Sequence, residues 1–173
     1  MKYLKHLPKY YVIAFFIIVF TAIMYVLLHE RRVPIKDDSL FDSSYEYDKY
    51  LLNRLGQGEC SVCDPKEIKM VMSVALNRVA NKRFPNNLHD VLYQDNQFHG
   101  MYRADLDKNG NEIISDKVNL CSEEILANGS TLPSNILGFI YPSKIISVKG
   151  TKWYGKIKDS VVYKMKYHHF YKL

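Results

Sequence analysis

An α+β domain behind one transmembrane helix is what the residue pattern predicts, on three observations. The run from Tyr10 to Leu28, YYVIAFFIIVFTAIMYVLL, carries no charge, and at about 1.5 Å per residue a helix of that length crosses a bilayer's hydrocarbon core. Between Tyr45 and Gly129 apolar residues recur every three or four positions, with cap and stop signals between the runs. From Gly138 onward the chain is β-branched and aromatic, broken by Gly and Pro. Helical pattern first and strand pattern later is the order of an α+β fold.

The chain has 173 residues, 47% hydrophobic and 24% charged, which suits one folded domain with a sizeable core. Residues 1–9 are a short basic segment, residues 10–28 the transmembrane helix, residues 29–44 (HERRVPIKDDSLFDSS) a polar linker, and residues 45–173 the domain. A cleaved signal peptide is the rival reading of the apolar run. The run exceeds the usual apolar region of about 7–15 residues, and no small-x-small cleavage site precedes His29. Lysines at 2, 5 and 9 nearly balance Arg31, Arg32 and Lys36 across the span. Because the short N-terminal segment is the easier end to retain inside, the domain is expected on the extracytoplasmic side.

Of the net charge of +6, residues 1–36 supply +5, so the domain is almost neutral, with 18 Lys/Arg against 17 Asp/Glu. That balance argues against a nucleic-acid partner. Charge inside the domain is nonetheless polarised: residues 117–173 hold 9 basic and 3 acidic side chains. Such a half can attract an anionic polymer or form an ordinary solvated face.

The elements follow in order. Tyr47, Tyr50, Leu51 and Leu55 mark a first helix, expected to end at Gly56 and Gly58. Asp64, Pro65 and Glu67 then form a capping-box start, and Ile68, Val71, Met72, Ala75 and Val79 the apolar face of a second helix that stops near Asn81. RFPNN reads as a loop and LHDVLYQ as a short helix or turn. Asp105, Asp107, Asn109 and Gly110 match the first half of a calcium loop, but Glu112 and Asp116 break its second half. An Asn-Gly turn between short strands explains them better. CSEEILANG is expected to be a short helix, and GFIYPSKIISV, TKWYGKI and SVVYKMKYHHFYKL to be strands.

Chemistry concentrates around Glu59, expected in the break between the first two helices. A carboxyl desolvated by apolar neighbours can serve as a proton donor to a leaving oxygen. A solvated glutamate beside a helix N-terminus is the alternative. Cys60 and Cys63 form a C-x-x-C, with Cys121 a third thiol. A redox motif wants a strand feeding it, and zinc wants a fourth ligand that only Cys121 or the C-terminal histidines offer. A structural disulfide or buried thiols fit better, and any of the three pairings among Cys60, Cys63 and Cys121 is open. His168 and His169, adjacent on a strand, face opposite ways. The interleaved aromatics and lysines of the tail suit either a carbohydrate-facing surface or an amphipathic edge.

Together these motifs resemble the SleB-like cell wall hydrolase family, the catalytic domain of spore cortex-lytic enzymes. That family shows G-E-(A/S)-R-G-E, then an apolar helix ending V-x-L-N-R-V. Gly58-Glu59 and Val74, Leu76-Asn77-Arg78-Val79 match it without a gap, RFPNNLHDVLYQDNQF resembles its next segment, and ILANGSTLPSNILGFIYPSK and HHFY resemble its tail. The resemblance covers roughly residues 45–173. It implies a fold related to lysozymes and lytic transglycosylases, peptidoglycan as substrate, no cofactor and no metal. Glu59 is then the catalytic acid for the bond between N-acetylmuramic acid and N-acetylglucosamine, with Gln97, Tyr141 and His168 as the substrate-binding set, the first two holding the glycan and His168 supporting the cleft. Attack by the muramic 6-hydroxyl would need no second carboxylate. Membrane anchoring through residues 10–28 suggests phage lysis or envelope remodelling. Departures from the pattern are Ser61, Val62 and Cys63 in place of Arg-Gly-Glu, QFHG in place of Q-F-S-W, and a different segment over residues 105–120. They leave an inactive, anchored glycan-binding or interaction protein as the alternative.

Overall fold

The computed structural model describes residues 17–21, 44–103 and 111–173. The chain divides into two compact units, Met1–Val33 and Pro34–Leu173. In the first, residues 17–21 are helical, with Ile17, Ile18 and Phe20 exposed. The rest of the expected span, most of the linker and the expected Asn109-Gly110 turn lie outside the described residues. Among the described residues no helix is long and apolar enough to cross a membrane.

The second unit is α+β. Helix α1 spans Ser44–Cys60 and buries Tyr47, Leu51, Leu52 and Leu55. It does not end at its glycines. Gly56 and Gly58 are there for close approach: a Cβ on Gly56 would lie 2.6 Å from Met72 Cε, and one on Gly58 would collide with the Gly100 backbone. Glycine inside a helix costs about 1 kcal/mol in propensity, which the two contacts offset by letting neighbours pack against the bare backbone. Glu59 consequently sits in the last turn of α1 and not in a break.

Helix α2 (Pro65–Val79) starts where expected, with Pro65 in its first turn and the Asp64 carboxylate accepting the Glu67 N–H at 2.8 Å. The reciprocal half of a capping box is absent, because the Glu67 side chain turns inward. α2 is the central element: Ile68, Val71, Met72, Val74 and Ala75 are all fully buried. It packs against α1, a short α3 (Leu88–Leu92), α4 (Asp116–Asn128) and the sheet. α4 begins five residues before its expected start at Cys121, after Ser115, and leaves helical geometry at Gly129, whose φ of 81° favours glycine. Its Lys117 Nζ donates to the carbonyls of Ser61 (2.9 Å) and Cys63 (2.7 Å), so α4 fixes the chain just past α1.

Strand β1 (Ile136–Ile140) is followed by two helices where strands were expected, α5 (Pro142–Val148) and α6 (Lys152–Ile157). Local punctuation overrode β-rich composition in both. Pro142 presets the first helical turn and holds Tyr141 extended. Thr151 caps α6 by accepting the Tyr154 N–H at 3.1 Å. The tail then forms β2 (Val161–Lys164) and β3 (His169–Lys172), with β3 central in an antiparallel sheet of order β1-β3-β2. Phe139 pairs with Phe170 and Ile140 with His169. The two histidines expected side by side on a strand are divided by its start: His168, just before β3, is fully buried, and His169, its first residue, is partly exposed.

Candidate active site

Three elements meet at the carboxyl of Glu59, which is only 9% exposed. Oε1 accepts the backbone N–H of Gly100 at 2.5 Å, from a 3₁₀ turn over His99–Tyr102. This contact needs two glycines face to face, since a Cβ on Gly100 would lie 2.5 Å from the Gly58 carbonyl carbon. Oε2 lies 2.8 Å from the Tyr141 hydroxyl, which is also 2.9 Å from the Glu59 backbone carbonyl oxygen. Burial first, and then the charge of Glu59, holds the Tyr141 phenol well above its ordinary range, so it stays protonated.

That hydroxyl suits both protonation states of the acid. Toward a carboxylate it donates to Oε2. When Glu59 is protonated on Oε2, the carboxyl donates to the phenol oxygen and the phenol proton turns to the backbone carbonyl. Either way every proton has an acceptor, the condition for a buried polar group to cost little.

Glu59 and Tyr141 line a cleft of about 600 Å³, with Gln97, Arg103, Lys144 and Trp153 also on its walls. Arg103 and Lys144 are exposed, and Trp153 is 41% exposed. Among the described residues lining this cleft, Glu59 has the one acidic side chain. Gln97 is held by Arg78, whose Nη1 donates to Gln97 Oε1 at 2.8 Å while its Nε donates to Leu137 O at 2.8 Å. Arg78 lies over the rings of Phe84 and Phe98, and burial lowers it to about 10, so it remains a cation at neutral pH. Its neighbour Asn77 donates to Pro133 O (2.9 Å) and Ile136 O (3.0 Å). Leu76-Asn77-Arg78-Val79 is thus the clamp that fastens α2 to β1 and to the cleft wall.

His168 is placed differently from the other expected substrate-binding residues. It is fully buried and lies behind the cleft, its ring 4.5 Å from that of Tyr141. Its Nδ1 is 3.0 Å from Oε1 of Glu67, which also accepts the Tyr167 N–H at 2.9 Å. Burial lowers the titration of His168 against the opposing pull of Glu67, so the neutral ring donates its Nδ1–H to the carboxylate. Sequence reasoning missed Glu67 in this role because Asp-Pro-Lys-Glu is also a sufficient helix start.

The structure pairs Cys60 with Cys63 in a disulfide and leaves Cys121 a buried free thiol, raised by that burial. Cys60 Sγ lies 3.7 Å from His168 Nδ1. Cys63, the last of the three residues in place of Arg-Gly-Glu, is therefore bonded to Cys60, directly behind the acid.

A family model described as Cell Wall Hydrolase matches residues 65–171, more than half of the chain. The match starts at Pro65, beyond Glu59, so the part assigned to Glu59 rests on the geometry above. No curated protein and no solved structure matches the chain.

Proposed function

The chain belongs to the cell wall hydrolase family, whose substrate is peptidoglycan, and from that premise we propose a membrane-anchored lytic transglycosylase with Glu59 as its single acid. The observation that carries this reading is the placement of Glu59. It is a nearly buried carboxyl at the cleft wall, held by one N–H and one phenol that accommodate both of its protonation states.

Protonated Glu59 donates its proton to the oxygen bridging N-acetylmuramic acid and N-acetylglucosamine, and the bond from muramic C1 to that oxygen breaks. The muramic 6-hydroxyl then bonds to C1, and the Glu59 carboxylate takes its proton, which restores the acid and leaves a 1,6-anhydro end. The internal attack needs no second carboxylate, which suits a wall whose described residues present Glu59 as their one acidic side chain. Trp153 gives a face for a sugar ring, and Arg103 and Lys144 meet carboxylates of the polymer.

The test is a peptidoglycan zymogram with mass spectrometry of the released muropeptides. Glu59→Gln is expected to lose at least about a hundredfold in rate, the usual worth of a general acid, while wild type releases anhydro ends. Equal clearing by the two proteins removes Glu59 from the mechanism, and reducing ends replace transglycosylation by hydrolysis.

The anchor is carried by the uncharged run over residues 10–28 and by the helical, exposed apolar residues within it. Full-length chain is expected to stay with membranes through an alkaline carbonate wash, and a chain lacking residues 1–36 to be released. Release of both would leave the enzyme without its tether.

A further inference from the structure

Behind the acid lies a cluster that catalysis leaves unused. Cys60 and Cys63 at the end of α1, Glu67 in the first turn of α2 and His168 before β3 are all buried, and one ligand atom from each falls within 4.8 Å of the others. We propose that, once the Cys60–Cys63 disulfide is reduced, these four residues bind a zinc ion, so that the disulfide and the metal are alternative locks on the same spot.

Distances support the assignment. Tetrahedral zinc, with bonds of about 2.3 Å to sulfur and 2.0 Å to nitrogen or oxygen, sets sulfur and nitrogen about 3.5 Å apart and nitrogen and oxygen about 3.3 Å apart. The structure places Cys60 Sγ 3.7 Å from His168 Nδ1, and His168 Nδ1 3.0 Å from Glu67 Oε1. Reduction moves the two sulfurs from bonded to van der Waals separation, which is the direction the metal requires. The C-x-x-C spacing on a turn, closed by Cys63 N–H to Cys60 O at 3.0 Å, is also that of zinc-binding loops.

A second, independent observation is that the pocket is under-satisfied. Glu67 Oε2 is buried without a hydrogen-bond partner among the described residues. A carboxylate withdrawn from water with half its acceptor capacity idle is costly, and a cation beside it removes that cost. Nor does the disulfide have an evident stabilising task, because a bridge closing so short a loop removes little entropy from the unfolded chain. With four protein ligands the site is closed, so it is structural and holds no water for attack.

The chemistry balances. A dithiol supplies two electrons and two protons, is itself oxidised to a disulfide, and leaves Cys60 and Cys63 as thiols. Zinc then replaces both thiol protons, which leave to solvent, while His168 turns its Nδ1 lone pair to the ion and carries its proton on Nε2. The two thiolates cancel the ion, so the cluster keeps the single negative charge of Glu67 in either state.

Full-length chain reduced with a phosphine, freed of air and titrated with Co²⁺ as a spectroscopic stand-in tests this without reference to activity. The expected result is one ion per chain, with the intense visible bands of tetrahedral cobalt and thiolate charge transfer, displaced by Zn²⁺. Unreduced chain is expected to show neither, Cys121→Ser to bind as wild type does, and Cys63→Ser to bind at least about tenfold more weakly. Wild type also suffices alone: Zn²⁺ should slow alkylation of Cys60 and Cys63 in the reduced chain. The proposal is overturned if reduced chain binds no cobalt, binds it in octahedral form, depends on Cys121, or is alkylated equally with and without zinc. Each of these results leaves the role of Glu59 untouched.

Discussion

Around Glu59 the decisive atoms belong to residues with little to announce them in sequence. Tyr141 and Gly100 hold the carboxyl; Gly100 is only part of an odd QFHG, and Tyr141, expected from the family resemblance as a glycan-binding residue, gives no sign of its bond to Glu59. Glu59 itself was legible only through Gly58-Glu59 and its fixed separation from Leu76-Asn77-Arg78-Val79, since its composition and position alone fit a surface glutamate equally well. The importance of Tyr141 is testable by one atom. Tyr141→Phe keeps the ring that packs 4.5 Å from His168 and removes the hydroxyl. A hydrogen bond to an ionisable group is worth about 1.5–3 kcal/mol, which predicts a loss of about ten- to a hundredfold in kcat with the thermal midpoint little changed. Initial rates on soluble glycan strands and a melt settle the matter; an unchanged kcat would mean that Gly100 alone positions the acid. Glu67 and His168 were harder to read. A capping box and a buried ligand pair share the same letters, and only the tertiary fold brings His168 to the start of α2.

At the level of elements, caps and prolines were better guides than composition. Asp64-Pro65 placed the start of α2 correctly, whereas β-branched and aromatic residues suggested strands over 142–157 that proved to be α5 and α6. Pro142 and Thr151 had already signalled those starts. Gly56 and Gly58 misled in the other direction, because a glycine that stops a helix and one that admits a neighbour look alike in one sequence. The most consequential inter-element contact is the Asn77 clamp, whose two amide protons bond the carbonyls of Pro133 and Ile136. Asn77→Ala strands one buried and one part-buried acceptor and frees β1 from α2. We expect a loss of about 2–3 kcal/mol, read as a lower denaturant midpoint at unchanged slope. Activity should fall with it, because Gln97 is positioned by the neighbouring Arg78 and β1 leads into Tyr141. A midpoint within error of wild type would show that the sheet is held by packing alone.

For the molecule as a whole, the charge asymmetry read from sequence acquires a location. Residues 117–173 carry 9 basic and 3 acidic side chains, and from this half Lys144 joins Arg103 on the cleft wall. Peptidoglycan is anionic through its muramic and peptide carboxylates, and opposite charges raise the local concentration of a polymer at a cleft. Screening shortens that reach to about 8 Å at physiological ionic strength. Attraction of this kind acts on encounter and not on the protonated bond, so it belongs in KM. Raising salt from about 50 mM to about 500 mM is therefore expected to increase KM severalfold while kcat stays nearly constant. The double variant Arg103→Glu, Lys144→Glu should start with a raised KM at low salt and respond weakly to further salt. Because Arg103 also acts electrostatically on Tyr141, kcat is compared in Lys144→Glu alone, where it should stay near that of wild type at saturating substrate. If the double variant kept the wild-type salt response, the attraction would have to come from the rest of the basic half, and the cleft wall would recognise sugar rather than charge.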